Sequence, residues 1–181
     1  GIGFGGGCLP KDIRAFMARA EELGVDQALN FLSDVDDINN RSRLRMVDIA
    51  LNAFGGSVAD KKIVVLGAAF KPNSDDVRNS PALDIAISLH DLGANVVVVD
   101  PEAIHNARAI APQLDYETDV SAALPGADAV MLLTEWSEFR ELDPRHVGDF
   151  MANKIIFDGR AVLNADSWRA AGWEFRALGR P

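Results

Sequence analysis

The sequence predicts an α/β protein in which a helical segment is followed by a doubly wound parallel sheet. Three observations carry this prediction. In the first third of the chain, apolar residues recur at helical spacing. Beyond residue 60, short runs rich in β-branched residues alternate with helical stretches. These runs are mostly apolar along their length, as expected for strands of a parallel sheet that helices cover on both faces.

Three helices are predicted in the first third of the chain, at residues 10–23, 27–32 and 34–54. Pro10 suits the first turn of the first helix, and Gly24 is a natural stop for it. Gly55 and Gly56 end the third helix, whose length would be roughly 30 Å. Because apolar residues lie on more than one face of this long helix, we expect it to form a homodimer interface or to connect two domains.

Five strands are predicted in the rest of the chain: Lys62–Leu66, Asn95–Val99, Ala129–Leu133, Lys154–Phe157 and Glu174–Ala177. A helix is predicted between the first two strands, with Ser80 as its N-cap and Pro81 in its first turn. Right-handed crossovers between parallel strands then give a doubly wound sheet. The polar stretch from Ser57 to Lys62 is the predicted boundary between a helical domain, residues 1–57, and a sheet domain, residues 58–181.

The composition limits the partners of the chain. Twenty-seven acidic residues against eighteen basic ones give a net charge of −9, which repels a nucleic-acid backbone. No apolar run approaches the roughly 20 residues that span a bilayer, and nothing resembles a secretory signal. We therefore expect a cytoplasmic protein that binds neither nucleic acid nor membranes. A single cysteine and three widely spaced histidines predict that there is no metal site.

The chain opens on a glycine-rich loop that leads to its single cysteine, Cys8. The glycines between Gly3 and Gly7 let backbone amides approach a ligand without obstruction by Cβ atoms. Cys8 lies just before the first helix, so the helix dipole and the nearby Lys11 are expected to favour the thiolate. Asp12, one turn further on, could hold or polarise a water molecule. From spacing alone, a turn with a buried cysteine and an exposed Lys-Asp pair is an equally good interpretation.

The glycines of this loop do not match the pattern of a dinucleotide-binding turn. No predicted strand precedes them, and no acidic strand end follows about twenty residues later. The first residue is not methionine, and the chain begins directly on the loop. These features predict a fragment that begins inside a larger domain.

The first predicted strand runs into Gly67-Ala68-Ala69-Phe70-Lys71, which resembles a Rossmann strand and turn without its later glycines. A dinucleotide pyrophosphate could not approach this backbone closely. Phe70 is instead predicted to pack against a base or ribose, and Lys71 to meet a charged group. A core phenylalanine beside a solvated lysine is the alternative. Asp100, at the end of the second strand, has the position of a ribose-binding carboxylate, but this role is the less favoured interpretation.

Three separated motifs resemble those of the UDP-glucose/GDP-mannose dehydrogenase family in order and spacing. The first, from Gly3 to Asp12, resembles the active-site segment of these enzymes. The second runs from Phe70 to Pro81, and the third comprises the two strand ends Thr134–Trp136 and Phe157–Arg160. The resemblance extends from Gly1 to about Leu178 and implies a Rossmann-like sheet domain that binds a nucleotide sugar.

The resemblance also implies roles for individual residues. Cys8 would be the catalytic nucleophile, and Asp12 would assist the hydrolytic step. Lys11 and Arg78 would approach the cofactor, NAD. Contacts with the nucleotide sugar are implied for Gly1, Ile2, Gly3, Phe4, Gly5, Phe70, Lys71 and Arg160.

The implied activity is the NAD-dependent oxidation of UDP-glucose to UDP-glucuronate in two steps, a reaction of polysaccharide biosynthesis. The aldehyde made in the first step would be captured by Cys8 as a thiohemiacetal and oxidised to a thioester. GDP-mannose and a UDP-N-acetylhexosamine are alternative substrates. Since the resemblance implies an NAD-binding domain that this sequence does not contain, the chain by itself is expected to be inactive.

Two other hypotheses agree with parts of the sequence. The chain could be a module that binds UDP and forms a homodimer through residues 34–54 without catalysing a reaction. It could also be an NAD-binding domain with a helical arm, although Ala69, Phe70 and Lys71 replace the glycines that such a domain needs. UDP binding by a dimer without NAD reduction would favour the module, and tight NAD binding without a response to UDP would favour the NAD-binding domain.

Overall fold

The computed structural model of the protein describes residues 1–179. The helices are α1 (Leu9–Glu22), α2 (Phe31–Ala53), α3 (Pro81–Asp91), α4 (Ile104–Ile110), α5 (Val120–Ala123), α6 (Ser137–Arg140), α7 (Pro144–Gly148) and α8 (Ala165–Ala170). A 3-10 helix lies between α1 and α2 at Asp26–Leu29. The strands are β1 (Lys62–Leu66), β2 (Asn95–Val99), β3 (Asp115–Glu117), β4 (Ala129–Leu132), β5 (Ile155–Asp158) and β6 (Glu174–Ala177).

The strands form one parallel sheet in the order β3-β2-β1-β4-β5-β6. The chain builds outward from β1 to one edge, then returns to place β4 on the other side of β1. Leu66 at the end of β1 lies beside Val99 of β2 and Leu132 of β4, so these strands end at one rim of the sheet. Sheets of this kind bind ligands outside this rim, at the point where the strand order reverses. The predicted doubly wound parallel sheet is confirmed.

The strand predictions differ from the structure mainly at one edge of the sheet. β1, β2 and β6 have the predicted bounds, and the ends of β4 and β5 are displaced by a single residue. The short strand β3 was not predicted. Its sequence, Asp115-Tyr116-Glu117, is polar, and the strand pairs only with β2 at the edge. An edge strand does not need the apolar run that marks a buried strand, so the pattern gave no signal there.

The first and third predicted helices correspond to α1 and α2, with ends that differ by at most three residues. The separate second helix at residues 27–32 is wrong. Residues 26–29 form a 3-10 helix, and α2 already begins at Phe31. Asn30 between them has helical backbone angles, φ −55° and ψ −31°, so the chain passes from the 3-10 helix into α2 without leaving the helical region.

The apolar core joins the end of α2 to the sheet. Met46, Val47 and Ala50 form one buried face of α2 and belong to the same core as the fully buried residues of β1. Burying each large apolar side chain contributes roughly 1.5–3 kcal/mol. The predicted boundary near residue 57 therefore lies between two regions that share one core, and it stays a prediction.

The Ser80 side chain accepts a hydrogen bond from the Leu83 amide at 3.4 Å, which confirms the predicted N-cap of α3.

The surface formed by α1, its C-cap residue and the first two thirds of α2 is rich in apolar side chains. At least half of the surface of each of the following is exposed: Leu9, Phe16, Leu23, Phe31, Ile38 and Leu44. The predicted homodimer through residues 34–54 stays a prediction. No helix within residues 1–179 has the length and apolar character needed to cross a membrane.

Candidate active site

The glycine-rich loop lies against the turn that precedes α3. The Gly6 amide donates to the Arg78 carbonyl at 2.9 Å. A Cβ atom at Gly5 would lie 2.2 Å from the Asn79 carbonyl oxygen, and a Cβ atom at Gly7 would lie 2.5 Å from Arg78 Cζ. No side chain tolerates such distances to its neighbours without a shift. The glycines therefore allow this loop to approach the rim of the sheet.

The ring of Phe70 packs against Gly6. A Cβ atom at Gly6 would lie 2.8 Å from this ring. Phe70 is half-buried, and the exposed Lys71 has its Nζ atom 5.4 Å from the centre of the ring. Phe70 is thus a residue of the rim and not of the apolar core, and part of its ring is covered by the loop. Contact of Phe70 and Lys71 with a nucleotide sugar stays a prediction.

We expect Gly6→Ala to lower the free energy of unfolding by about 2–4 kcal/mol, because the new methyl group would meet Phe70 and the backbone would be strained. Chemical denaturation of the chain measures this change. Gly126→Ala is the matched control. Gly126 has φ +73° against +86° for Gly6, and no atom lies within 4 Å of its Cβ position, so only the strain applies there. Equal losses in the two variants would contradict the packing of the loop on Phe70.

Cys8 is the N-cap residue of α1, and it is exposed. Its side chain makes no capping hydrogen bond, while its carbonyl accepts from the Asp12 amide at 2.8 Å to begin the helix. The exposure excludes the alternative of a buried cysteine. The sulfur lies at the end of the helix where unpaired amides carry partial positive charge, a place that favours an anion.

Lys11 and Asp12 form an ion pair in the first turn of α1. Lys11 Nζ lies 2.6 Å from Asp12 Oδ1, and about two thirds of each side chain is exposed. The hydrogen bond to Asp12, and then the charge of Asp12, raise the pKa of Lys11. Exposed ion pairs are weak, so either partner can exchange this contact for another. The predicted roles of Asp12 in hydrolysis and of Lys11 at the cofactor stay predictions.

Arg78 is an exposed cation beside the loop. Its Nε and Nη2 atoms donate to Oδ1 and Oδ2 of Asp76 at 2.9 and 2.7 Å. These hydrogen bonds hold the pKa of Asp76 below its usual value. The guanidinium lies against Gly7, directly before Cys8. The pair with Asp76 therefore orients a positive charge next to the thiol, although 70% of the Arg78 side chain remains exposed.

Arg160 is the most buried of the four candidate cations, with 14% of its side chain exposed. Its Nε donates to the Leu133 carbonyl at 2.6 Å, and its Nη2 donates to the Phe70 carbonyl at 3.3 Å. Burial lowers the pKa of Arg160, and the charge of Glu135, whose Oε2 lies 3.0 Å from Nε, acts in the opposite direction. Since Nε–H points to Leu133, this Glu135 oxygen is buried without a hydrogen bond. Arg160 thus connects the ends of β1, β4 and β5.

The first two residues of the chain differ in burial. Ile2 is fully buried, and a Cβ atom at Gly159 would lie 2.9 Å from both Ile2 Cγ2 and Leu133 Cδ2. The Ile2 side chain is therefore part of the core, which leaves only its backbone for the predicted contact with a nucleotide sugar. Gly1 is exposed, and its Cβ position lies 3.7 Å from the Gly159 carbonyl oxygen.

Asp100 is a fully buried carboxylate that ties three strand ends together. Five groups donate to its two oxygens at 2.7–3.2 Å: the amides of Ala68, Ala69, Glu102 and Ala103 and the indole of Trp136. A ribose has no access to this carboxylate. The ribose-binding interpretation of Asp100 is excluded, and the residue instead holds the turn that leads to Phe70.

Asn39 is a buried polar residue that the sequence motifs did not reveal. It lies on α2 and hydrogen-bonds both backbone groups of Phe4, at 2.7 and 2.9 Å. The available signal was its helical spacing to Arg43 and Met46, which places an amide on the buried face of α2. A buried amide needs partners, and spacing does not say where they are.

Together, these features define a Rossmann-type protein with an exposed thiol and several cations near the rim of its sheet. The turn after β1 lacks the open glycine backbone that binds a dinucleotide, since its amides already donate to Asp100. Within residues 1–179, no three His, Cys, Asp or Glu side chains are grouped so that they could hold a metal ion.

Comparison with known families agrees with this description. Residues 64–165 match the UDP binding domain of the UDP-glucose/GDP-mannose dehydrogenase family, and residues 1–41 match its central domain. The chain belongs to this family.

Similar proteins include longer dehydrogenases of nucleotide sugars. The whole chain is 42% identical to UDP-glucose 6-dehydrogenase TuaD of Bacillus subtilis strain 168 and covers 39% of that protein. A UDP-glucose dehydrogenase structure from Pyrobaculum islandicum matches 97% of this chain and 38% of its own, with a TM-score of 0.81 and 34% identity. The NDP-N-acetyl-D-galactosaminuronic acid dehydrogenase of Methanosarcina mazei Go1 matches 99% of this chain and 39% of its own, with a TM-score of 0.80 and 27% identity. The chain thus spans about two fifths of the length of these relatives.

Proposed function

We propose that this chain is part of an NAD-dependent UDP-glucose 6-dehydrogenase and supplies its nucleophilic thiol and its nucleotide-sugar site. The complete enzyme denotes here a protein with the full length of the relatives, of which this chain spans about two fifths. The exposed Cys8 at the start of α1, on a loop packed against Phe70 and Arg78, is the observation that carries the proposal. This loop lies at the rim where doubly wound sheets bind ligands.

The proposed reaction converts the C6 alcohol of the sugar to a carboxylate. NAD bound to the complete enzyme would accept one hydride from C6 in each of two oxidations, and in the first of them the C6 hydroxyl also loses its proton to solvent. Between them, Cys8 Sγ attacks the C6 aldehyde, so that an S–C bond forms, the thiol proton is transferred to the carbonyl oxygen, and the carbonyl becomes the hydroxyl of a thiohemiacetal. Loss of the second hydride and of the hydroxyl proton gives a thioester. Water then attacks the thioester carbon, the C–S bond breaks, and the carboxylate and the free thiol are released.

The groups around Cys8 suit these steps. The amides at the start of α1 favour negative charge on the sulfur. Asp12, one turn away, would orient the water that attacks the thioester, once its exposed ion pair with Lys11 has opened. Each of these roles uses a residue that the structure leaves accessible to a ligand.

Lys11 and Arg78 are the residues of this chain that would meet NAD. Both are largely exposed cations near Cys8, and phosphate oxygens are suitable partners for such groups. The turn after β1 does not offer a further dinucleotide site, because its Ala68 and Ala69 amides donate to Asp100. This geometry speaks against the alternative in which the sheet itself is an NAD-binding domain.

The nucleotide sugar would lie between the glycine-rich loop and the rim residues Phe70, Lys71 and Arg160. Hydrogen bonds to two carbonyl groups fix the direction of the Arg160 guanidinium, which prepares it for a directed contact with a diphosphate. The match to a UDP binding domain and the names of the relatives favour UDP-glucose. A panel with GDP-mannose and UDP-N-acetylhexosamines as alternative substrates of the complete enzyme would decide the preference.

We expect Arg160→Lys to weaken UDP binding by about tenfold or more, because an ammonium group cannot keep both carbonyl contacts and also face a diphosphate. Titration calorimetry of the chain with UDP measures the affinity. Arg140→Lys, at an exposed position of α6, is the matched control and should bind UDP as the unchanged chain does. Undiminished affinity in Arg160→Lys would contradict the proposed site, and so would a lack of UDP binding by the unchanged chain.

A second candidate function is a homodimeric UDP-binding module without catalysis. The exposed apolar side chains of α2, including Ile38 and Leu44, favour it because they leave a surface that a second copy could cover. Sedimentation of the chain with UDP tests for the dimer. NAD reduction by the complete enzyme in the presence of UDP-glucose would reject a purely non-catalytic role.

A further inference from the structure

Asn39 is a buried amide that holds the backbone of the glycine-rich loop. Only 3% of its surface is exposed. Its Oδ1 accepts from the Phe4 amide at 2.7 Å, and its Nδ2 donates to the Phe4 carbonyl at 2.9 Å. The Asn39 side chain thus satisfies both the N–H and the C=O group of a single loop residue, Phe4.

Gly3 allows this contact to form. A Cβ atom at Gly3 would lie 2.3 Å from Asn39 Oδ1, and the glycine has φ +95°. A side chain at this position would displace the amide of Asn39. The glycine at the start of the loop and the amide on α2 therefore depend on one another.

Arg43 extends the same contact to α3. It lies one turn after Asn39, and its Nη2 donates to the Phe4 carbonyl at 3.1 Å. Its Nη1 pairs with Asp84 of α3, and only 13% of the Arg43 side chain is exposed. Two side chains of α2 thus bind one carbonyl of the loop, and one of them also binds α3.

We propose that Asn39 is a positioning residue, which fixes the Phe4 peptide and so the place of Cys8 at the rim. The inference rests on the proposed function of Cys8. Asn39 holds the loop at Phe4, and the Arg78 carbonyl holds it at Gly6, two residues before the thiol. A displacement of about 1 Å between reacting groups can lower the rate by about 10²-fold. Loss of the contact that holds Phe4 is therefore expected to slow the reaction.

Asn39→Asp tests this role. The aspartate keeps an oxygen that accepts from the Phe4 amide, but its second oxygen cannot donate to the Phe4 carbonyl, so one of the two hydrogen bonds is lost. Asn40→Asp is the matched control, since it makes the same change at the next, exposed position of α2. In the complete enzyme, we expect kcat to fall about 10–100-fold in Asn39→Asp, with KM for UDP-glucose within about threefold. In the chain by itself, amide hydrogen exchange at residues 4–7 should be at least about tenfold faster. The control should change neither quantity.

Asn39→Ser is a second variant, whose shorter side chain cannot reach both groups of Phe4 and adds no charge. The same split between kcat and KM in this variant would support the positioning role. Unchanged kcat in either folded Asn39 variant, or an equal loss in Asn40→Asp, would overturn it. Hydrogen exchange at residues 4–7 shows whether Asn39 holds the loop even if the proposed role of Cys8 is wrong. Faster exchange, combined with full activity of a Cys8→Ser enzyme, would reject the role of Cys8 and with it the catalytic meaning of the Asn39 contact.

Discussion

Replacing Cys8 by serine in the complete enzyme is expected to abolish net conversion of UDP-glucose to UDP-glucuronate, with a loss in kcat of at least about 10³-fold. A thiol is intrinsically a strong nucleophile and can attack an aldehyde. An alcohol at the same place needs a general base to become a nucleophile. Without the covalent adduct, the aldehyde has no route to the thioester that water hydrolyses. Chromatographic measurement of UDP-glucuronate follows the loss directly.

Binding provides the control for this prediction. The Cys8 side chain is exposed, so its replacement should leave the fold intact and the affinity for UDP within about twofold of the unchanged chain. A variant that binds UDP but makes no UDP-glucuronate places the defect in the chemical steps. Normal production of UDP-glucuronate by Cys8→Ser would remove the thiol from the reaction.

Replacing Asp100 by asparagine is expected to lower the free energy of unfolding by about 3 kcal/mol. The amide would turn an NH₂ group towards at least two of the five groups that donate to this buried carboxylate. Donors cannot satisfy one another, and a buried donor without an acceptor costs about 1–3 kcal/mol. Urea denaturation of the chain measures the loss.

Asp115→Asn is the matched control for this change. Asp115 lies at an exposed position of the edge strand β3, where the same substitution should alter stability by less than about 0.5 kcal/mol. Because Asp100 binds the amides of the turn that leads to Phe70, the Asp100 variant should also bind UDP more weakly at temperatures where it remains folded. Equal stabilities for the two variants would contradict the structural role of the buried carboxylate.

Most of the fold was predictable because its signals are local. The central strands are apolar along their length, since helices cover both faces of the sheet, and Ser80 and Pro81 mark the start of α3 in the sequence itself. β3 was not predictable in this way. It is an edge strand of three residues, two of which are acidic and exposed, so it lacks the apolar run that marks a buried strand. The passage from the 3-10 helix into α2 through Asn30 was not predicted, because the sequence pattern does not show that Asn30 keeps helical backbone angles.

The residues of the candidate site were predictable only where they belong to a recognisable sequence motif. Cys8 was predicted at the start of a helix, and the structure places it there in an exposed position. The contact between Asn39 and Phe4 joins residues 35 positions apart, and nothing in the local pattern of α2 indicates which backbone its amide will bind. The packing of Phe70 on Gly6 is likewise a tertiary contact that the local sequence does not indicate, and the predicted contact of the ring with a ligand stays a prediction.

Bond formation between Cys8 Sγ and sugar C6 is the central claim, and mass spectrometry tests it most directly. The complete enzyme would be quenched in acid during turnover with UDP-glucose and NAD, and the peptide containing Cys8 would be analysed. We predict a fraction of this peptide with the added mass of the oxidised nucleotide sugar, and no such peptide from Cys8→Ser. A rapidly turning over enzyme whose adduct forms on another residue, while the Cys8 peptide stays unmodified at every quench time, would contradict the claim.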